Sequence, residues 1–266
     1  MDILATLASL SVLVFVISSM LSMGLSLTMA QIMTPLKNTS LVLKSLIASF
    51  VLVPLLGFLL ATFMPVSEGA AIGILIVACA AGAPFLPKLV QVAKGDVAFG
   101  VGLMTLLMVL TVVYMPVVLP LLLQGVAVDA MAIATSLFFQ MLVPLGIGLF
   151  IKARYEDIAA TIQPAFAQAS NLALIALMVL SLILGFDSFV GAFGSWSILS
   201  SILFIIGAFA IGYLLGGPGQ DTRAVVSLGT AQRNLAAAMI VAGGNFTDPD
   251  VLTVVLIVAI IGLVLL

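Results

Sequence analysis

The stretch Ser227–Asn234, SLGTAQRN, sets Gln232, Arg233 and Asn234 near the middle of the apolar run Ala224–Gly243. A charge that deep in a membrane costs about 2.5–3.5 kcal/mol on insertion scales, so it is rare and usually functional. A second cation, Lys88, lies in another apolar run, Ala70–Val92. No Asp or Glu falls deep inside any apolar run to pair with either. Two buried cations without a protein anion point to a bound anion, or to backbone carbonyls and water. An arginine presents a planar fork suited to a carboxylate.

Each cation follows an interruption. GAPFLPKL, starting at Gly82, contains Pro84 and Pro87, which remove backbone donors and break a helix. Gly229-Thr230 is the weak point of the second run. Irregular backbone at membrane depth is tolerated only where protein buries it or a wet cavity is lined by it. The residues around the two breaks, Pro84, Phe85, Pro87, Lys88, Thr230, Gln232, Arg233 and Asn234, are therefore the candidate substrate-binding set. Asn171 is a further candidate from another run, although lone polar residues there, like Gln140, more often join helices. Two plainer readings stand beside these. Lys88, about five residues from the end of its run, can snorkel to the interface. Arg233 can cap carbonyls of a neighbouring helix.

The elements that must position these residues are membrane helices. Of 266 residues, 64% are hydrophobic and 7% charged, with mean hydropathy +1.43. A soluble domain carries roughly 25% charged residues, so a water-soluble fold is excluded. There is no His, and the single Cys79 lies in an apolar run, which removes a disulfide framework, thiolate metal sites and the usual general base. The N-terminus lacks the basic region of a cleavable signal. The class expected is an all-α polytopic membrane protein, and not an enzyme.

Nine spans are expected, at Ile3–Met29, Leu41–Phe63, Ala70–Val92, Val97–Leu123, Met131–Ile151, Ile162–Gly185, Ile198–Leu215, Ala224–Gly243 and Val251–Leu266. The connections are too short to hold a soluble domain. Lys37, Lys44, Lys94, Lys152, Arg154 and Arg223 all fall at alternate connections, while the opposite ones carry Asp2, Glu68, Asp129, Asp187, Asp248 and Asp250 and no basic residue. This bias puts the basic side in the cytoplasm, with the N-terminus outside and the C-terminus inside. The two interrupted spans are five apart and run in opposite directions, the pattern of an inverted-repeat transporter with its site between discontinuous helices.

MGLSLTMAQI from Met23, the third-span break followed by AKGDVA (Ala93–Ala98), and LGTAQRNLAAA (Leu228–Ala238) resemble the bile acid/sodium symporter (BASS) family over nearly the whole chain. The resemblance implies ten helices in two inverted repeats, here a nine-helix bacterial-type form lacking the first, in an inner membrane. It also implies a core domain (about 41–123 and 198–266) holding crossing broken helices 70–92 and 224–243, moving against a panel domain (about 1–33 and 129–186). A small organic-anion substrate, coupled in studied members to sodium, is implied as well.

The family's sodium ligands are a Ser-Asn pair, a Ser and a Thr on the next helix, and a Glu. By that correspondence they fall here on Leu86, Pro87, Gly100, Met104 and Leu228, none with a side-chain oxygen. Gln232 is retained, and a one-residue shift brings in Ser227 or Thr105, so these three are the weak sodium candidates. The expectation is a secondary carrier of a small organic anion in the lipid bilayer, with sodium dependence weak or absent and no cofactor other than sodium itself. No nucleic acid and no obligatory protein partner is expected. A sodium-coupled symporter with shifted ligands is the runner-up. A lipid-processing membrane enzyme or a structural membrane subunit would belong to other classes.

Overall fold

The computed structural model of the chain describes residues 3–33, 37–123, 128–184 and 186–266. Asp2, the Thr34-Pro35 connection and Gly185 lie outside the described residues. Regular structure among the described residues is entirely helical. In chain order the helices are α1 Ile3–Ser26, α2 Met29–Met33, α3 Thr39–Phe63, α4 Glu68–Cys79, α5 Leu86–Val92, α6 Val97–Leu122, α7 Ala130–Arg154, α8 Glu156–Leu184, α9 Phe186–Gly194, α10 Ser197–Leu215, α11 Gln220–Ala231, α12 Leu235–Asn245 and α13 Pro249–Leu265. Seven stretches of helix among the described residues are long and apolar enough to cross a membrane, and Glu68–Cys79 and Pro249–Leu265 are shorter apolar helices. The protein is therefore an integral membrane protein.

The helix starts are written locally. Asn38, Ser67, Asp96, Asp129, Asn234 and Asp248 each accept a hydrogen bond from a backbone N–H of the helix they precede. Such caps satisfy donors that have no intrahelical partner. The AKGD turn does two jobs. Lys94 takes a left-handed conformation (φ 55°), with Gly95 N–H bonding Val90 O and Lys94 N–H bonding Gln91 O, which ends α5. Asp96 then starts α6 through Phe99 N–H at 2.9 Å.

Three elements depart from the expected spans. The helix α8 begins at Glu156, six residues before Ile162, and Lys152 pairs with Glu156 at 2.7 Å across the junction with α7. A short helix, α9, fills the connection before α10. The third departure is a π-helical turn, Ala48–Leu52, within α3. There Val53 N–H bonds Ala48 O, and Pro54 has no N–H to give. The carbonyls of Ser49 and Phe50 are thereby released from the helix ladder. Tyr114 O–H takes Phe50 O at 2.6 Å.

Packing separates the helices into two groups. The helix α1 packs along α7 and α8, with Gly24 and Gly148 at the crossing, where a Cβ on Gly148 would lie 2.7 Å from Leu21 O. The helices α3, α4, α6, α10, α11 and α13 pack around the two interruptions. Between the groups lie α12 and the cavity described next.

Candidate functional site

The first interruption spans residues 80–85, between α4 and α5. Gly82 has φ 80°, and a Cβ there would collide with the Met108 backbone of α6, so only glycine fits. Thr111, also on α6, accepts from Ala81 N–H at 3.1 Å and donates to Ala81 O at 3.0 Å. One side chain thus satisfies both backbone groups of a residue that no helix serves.

The second interruption is Gln232–Asn234, and its place differs from the sequence expectation. Gly229 and Thr230 remain helical, because the Thr230 hydroxyl bonds back to Val226 O and Ser227 O and Gly229 packs under Leu86. The cation Arg233 therefore sits in the break, not after it. Asn234 restarts the helix as the cap of α12, accepting from Ala237 N–H at 3.1 Å. The breaks meet directly: Asn234 N–H donates to Ala80 O at 2.8 Å. The second half of each interrupted helix packs on the first half of the other, α12 on α4 and α5 on α11.

Arg233 is buried, with 5% of its surface exposed. Its Nε donates to Val77 O at 3.2 Å, its Nη1 to Thr230 O at 3.3 Å, and its Nη2 to Ala78 O at 2.6 Å and Ser49 O at 3.3 Å. The fork expected to grip a carboxylate is thus engaged by backbone carbonyls. The carbonyls of Ala78, Thr230 and Ser49 are ones that helix ends and the π-helical turn leave without helical donors, while Val77 O is shared with Ala80 N–H at 3.1 Å. Lys88, on the first turn of α5, is exposed, and its ammonium has no hydrogen bond or ion pair among the described residues.

Both cations line one cavity of about 840 Å³. Pro84, Phe85, Pro87, Gln232 and Asn171 line it too, so seven of the nine candidate substrate residues are brought together. Thr230 and Asn234 are not among the lining residues; both are buried and serve their own helices. Ser227 and Thr105 also lie outside the lining, and their hydroxyls bond back to Arg223 O and Val101 O. Gln232 is half-buried, its side chain without a hydrogen bond among the described residues. The cavity wall also holds polar residues that sequence reasoning missed: Ser19, Ser22 and Ser26 on α1, Gln91 on α5, Gln163 and Ser170 on α8. Gln163 Nε2 donates to Ser22 Oγ at 2.9 Å. The serine positions recur at helical spacing on one face of α1, which is the signal that could have found them.

The positions that correspond to family sodium ligands are filled by hydrophobic packing. Leu86, Met104 and Leu228 are buried, and Leu86 Cδ2 lies within reach of Gly229. No group of three or more His, Cys, Asp or Glu gathers among the described residues.

The family profile described as Sodium Bile acid symporter family matches residues 13–192. Three curated relatives match a larger share of the chain than the profile does. "Probable sodium/metabolite cotransporter BASS2, chloroplastic" of Oryza sativa subsp. japonica is 28% identical over 234 residues, 86% of this chain and 56% of its own. "Probable sodium/metabolite cotransporter BASS3, chloroplastic" of Arabidopsis thaliana is 27% identical over 262 residues, 92% and 59%. "Probable sodium/metabolite cotransporter BASS1, chloroplastic" of Arabidopsis thaliana is 23% identical over 241 residues, 87% and 58%. The chain thus spans less than two thirds of the length of these relatives. With two interrupted helices meeting over a largely apolar cavity that carries a few polar side chains, and the profile covering well over half of its residues, the chain belongs to the Sodium Bile acid symporter family.

Proposed function

We propose that this protein is a secondary carrier that moves a small organic anion, a carboxylate, across a bacterial inner membrane by alternating access. The observation that carries the reading is Lys88, an unpaired ammonium in the wall of a largely apolar cavity shared by both helix interruptions. A carboxylate entering that cavity meets Lys88 as its counter-charge. Gln232 and Asn171 supply hydrogen bonds, and Pro84, Phe85 and Pro87 shape the apolar wall. Arg233 acts on the anion chiefly through its charge, since four of its five N–H donors go to backbone carbonyls. The reading comprises nine spans with the N-terminus outside. It also comprises two inverted repeats, and a core (41–123 and 198–266) that moves against a panel (1–33 and 129–186). The two packing groups and the meeting of oppositely directed breaks support this.

Sodium dependence is weak or absent in this reading, because Leu86, Met104 and Leu228 offer a hard cation no oxygen. A sodium-coupled symporter is the second reading, favoured by the names of the relatives as sodium/metabolite cotransporters. Uptake of labelled carboxylates into proteoliposomes, with sodium or choline outside, separates the two. Uptake is expected to persist in choline. A hydrogen bond to a charged group contributes about 1.5–3 kcal/mol, so Lys88→Gln should lower uptake at subsaturating anion by about 10–150-fold. A Lys88→Gln protein that transports like wild type, or a chain that moves no anion in either salt, refutes the reading.

A further inference from the structure

The C-terminal ends of α4 and α11 both face the point where the breaks meet. A helix C-terminus carries about half a negative elementary charge in its unsatisfied carbonyls. Two such ends directed at one place create a position for a cation, and the π-helical turn of α3 adds a third source of carbonyl oxygen there. The result is four carbonyls, Val77 and Ala78 from α4, Thr230 from α11 and Ser49 from α3, at 2.6–3.3 Å from the guanidinium nitrogens. Ser49 also carries a fully buried hydroxyl that has no hydrogen-bond partner among the described residues. An arginine needed only as a helix cap would be matched by one helix end. Here oxygens converge from three segments of chain, with a spare hydroxyl on one of them.

We infer that these carbonyls form a monovalent-cation site which the chain fills with its own Arg233, so that removing the side chain opens the site to a free cation. Guanidinium repeats the native hydrogen bonds. Sodium takes the same carbonyls as oxygen ligands, as ion filters built from backbone carbonyls do. The inference rests on the carrier reading only for its meaning in coupling: a tethered guanidinium keeps in place, throughout the cycle, the charge that a free ion would otherwise bring.

The test reads thermal stability of purified full-length protein in detergent and uses no transport assay. A ligand that binds only the folded state raises Tm in proportion to the logarithm of its concentration over Kd. Arg233→Ala leaves room for a free cation. Its Tm should rise with the logarithm of the ethylguanidinium concentration, by roughly 5–10 °C at a hundredfold excess over Kd. Arg233→Gln keeps an amide oxygen beside the carbonyls, and its Tm should be higher in sodium than in choline at equal ionic strength. Wild type and Arg233→Met, whose side chains occupy the space, should respond to neither. If Arg233→Ala is recovered as monodisperse protein only when purified with ethylguanidinium, that recovery is the expected result. The inference is overturned if Arg233→Ala gains nothing from ethylguanidinium and Arg233→Gln nothing from sodium, or if wild type and Arg233→Met gain equally. A failure to transport would sink the carrier reading and leave these stability results standing.

Discussion

Thr111→Val tests the claim that a single hydroxyl holds the first interruption together. Thr111 and Ala81 are both fully buried, and the hydroxyl exchanges two hydrogen bonds with the Ala81 backbone, at 3.0 and 3.1 Å. Valine matches threonine in volume, so the substitution leaves packing in place and removes only the hydroxyl. Ala81 N–H and C=O are then buried without partners. Each such group costs about 1–3 kcal/mol, so the two together cost about 2–6 kcal/mol. For a chain of this size 1 kcal/mol moves Tm by about 2–4 °C, so Tm should fall by roughly 4–24 °C. Thr111→Ser makes the complementary change. It keeps both hydrogen bonds and loses one methyl, at a cost of about 0.8–1.5 kcal/mol. The assay is the unfolding temperature of detergent-purified protein, read by intrinsic fluorescence or loss of monodispersity. The order expected is wild type above Ser above Val. A Val protein within a degree or two of wild type, or a Ser protein less stable than Val, refutes the reasoning, because the hydroxyl would then not be what satisfies the broken backbone.

Tyr114→Phe should lower stability by about 1–3 kcal/mol, read as a drop in Tm, because Pro54 leaves Phe50 O with no donor but the Tyr114 hydroxyl; an unchanged Tm would show that water replaces it at no cost. Gly82→Ala combines a left-handed φ, about 1–2 kcal/mol for a residue with a Cβ, with a collision against the α6 backbone, and should abolish recovery of monodisperse protein. Gly146→Ala, helical and with open space around its Cβ position, is the control and should be neutral or stabilise by up to about 1 kcal/mol; equal behaviour of the two variants would contradict the packing described for the first break.

Much of this protein is legible without coordinates because the relevant physics is local. With no water to pair with, backbone at membrane depth is mostly helical, so apolar runs in the sequence announce helices, and seven stretches among the described residues are long and apolar enough to cross a membrane. Pro84, Gly82 and Pro87 announce the first interruption because proline removes a donor and glycine accepts φ of 80° wherever the chain goes. The AKGD turn and the caps at Asn38, Asp96 and Asp129 are likewise written within a few residues of where they act.

The role of Arg233 was not legible in that way. The sequence narrows its partner to an anion or to carbonyls. The choice depends on oxygens contributed by Ser49, Val77 and Ala78, some 155 to 184 residues away. Ala78 O is free because α4 stops at Cys79, Val77 O is shared with Ala80 N–H at that helix end, and Ser49 O is free because a π-helical turn before Pro54 shifts one helix ladder by a residue. The second break falls at Gln232 rather than Gly229 for a similar reason: Thr230 finds carbonyls in its own helix, and Asn234 N–H finds Ala80 O across the crossing. The serines of α1 and Gln163 of α8 become cavity residues only when those helices pack beside the crossing. Local sequence determines where a backbone must leave its helix. Only the assembled fold decides which groups meet the donors and acceptors left behind, because at the crossing the partners, Thr111 for Ala81, Ala80 for Asn234, and Ser49, Val77 and Ala78 for Arg233, come from distant parts of the chain.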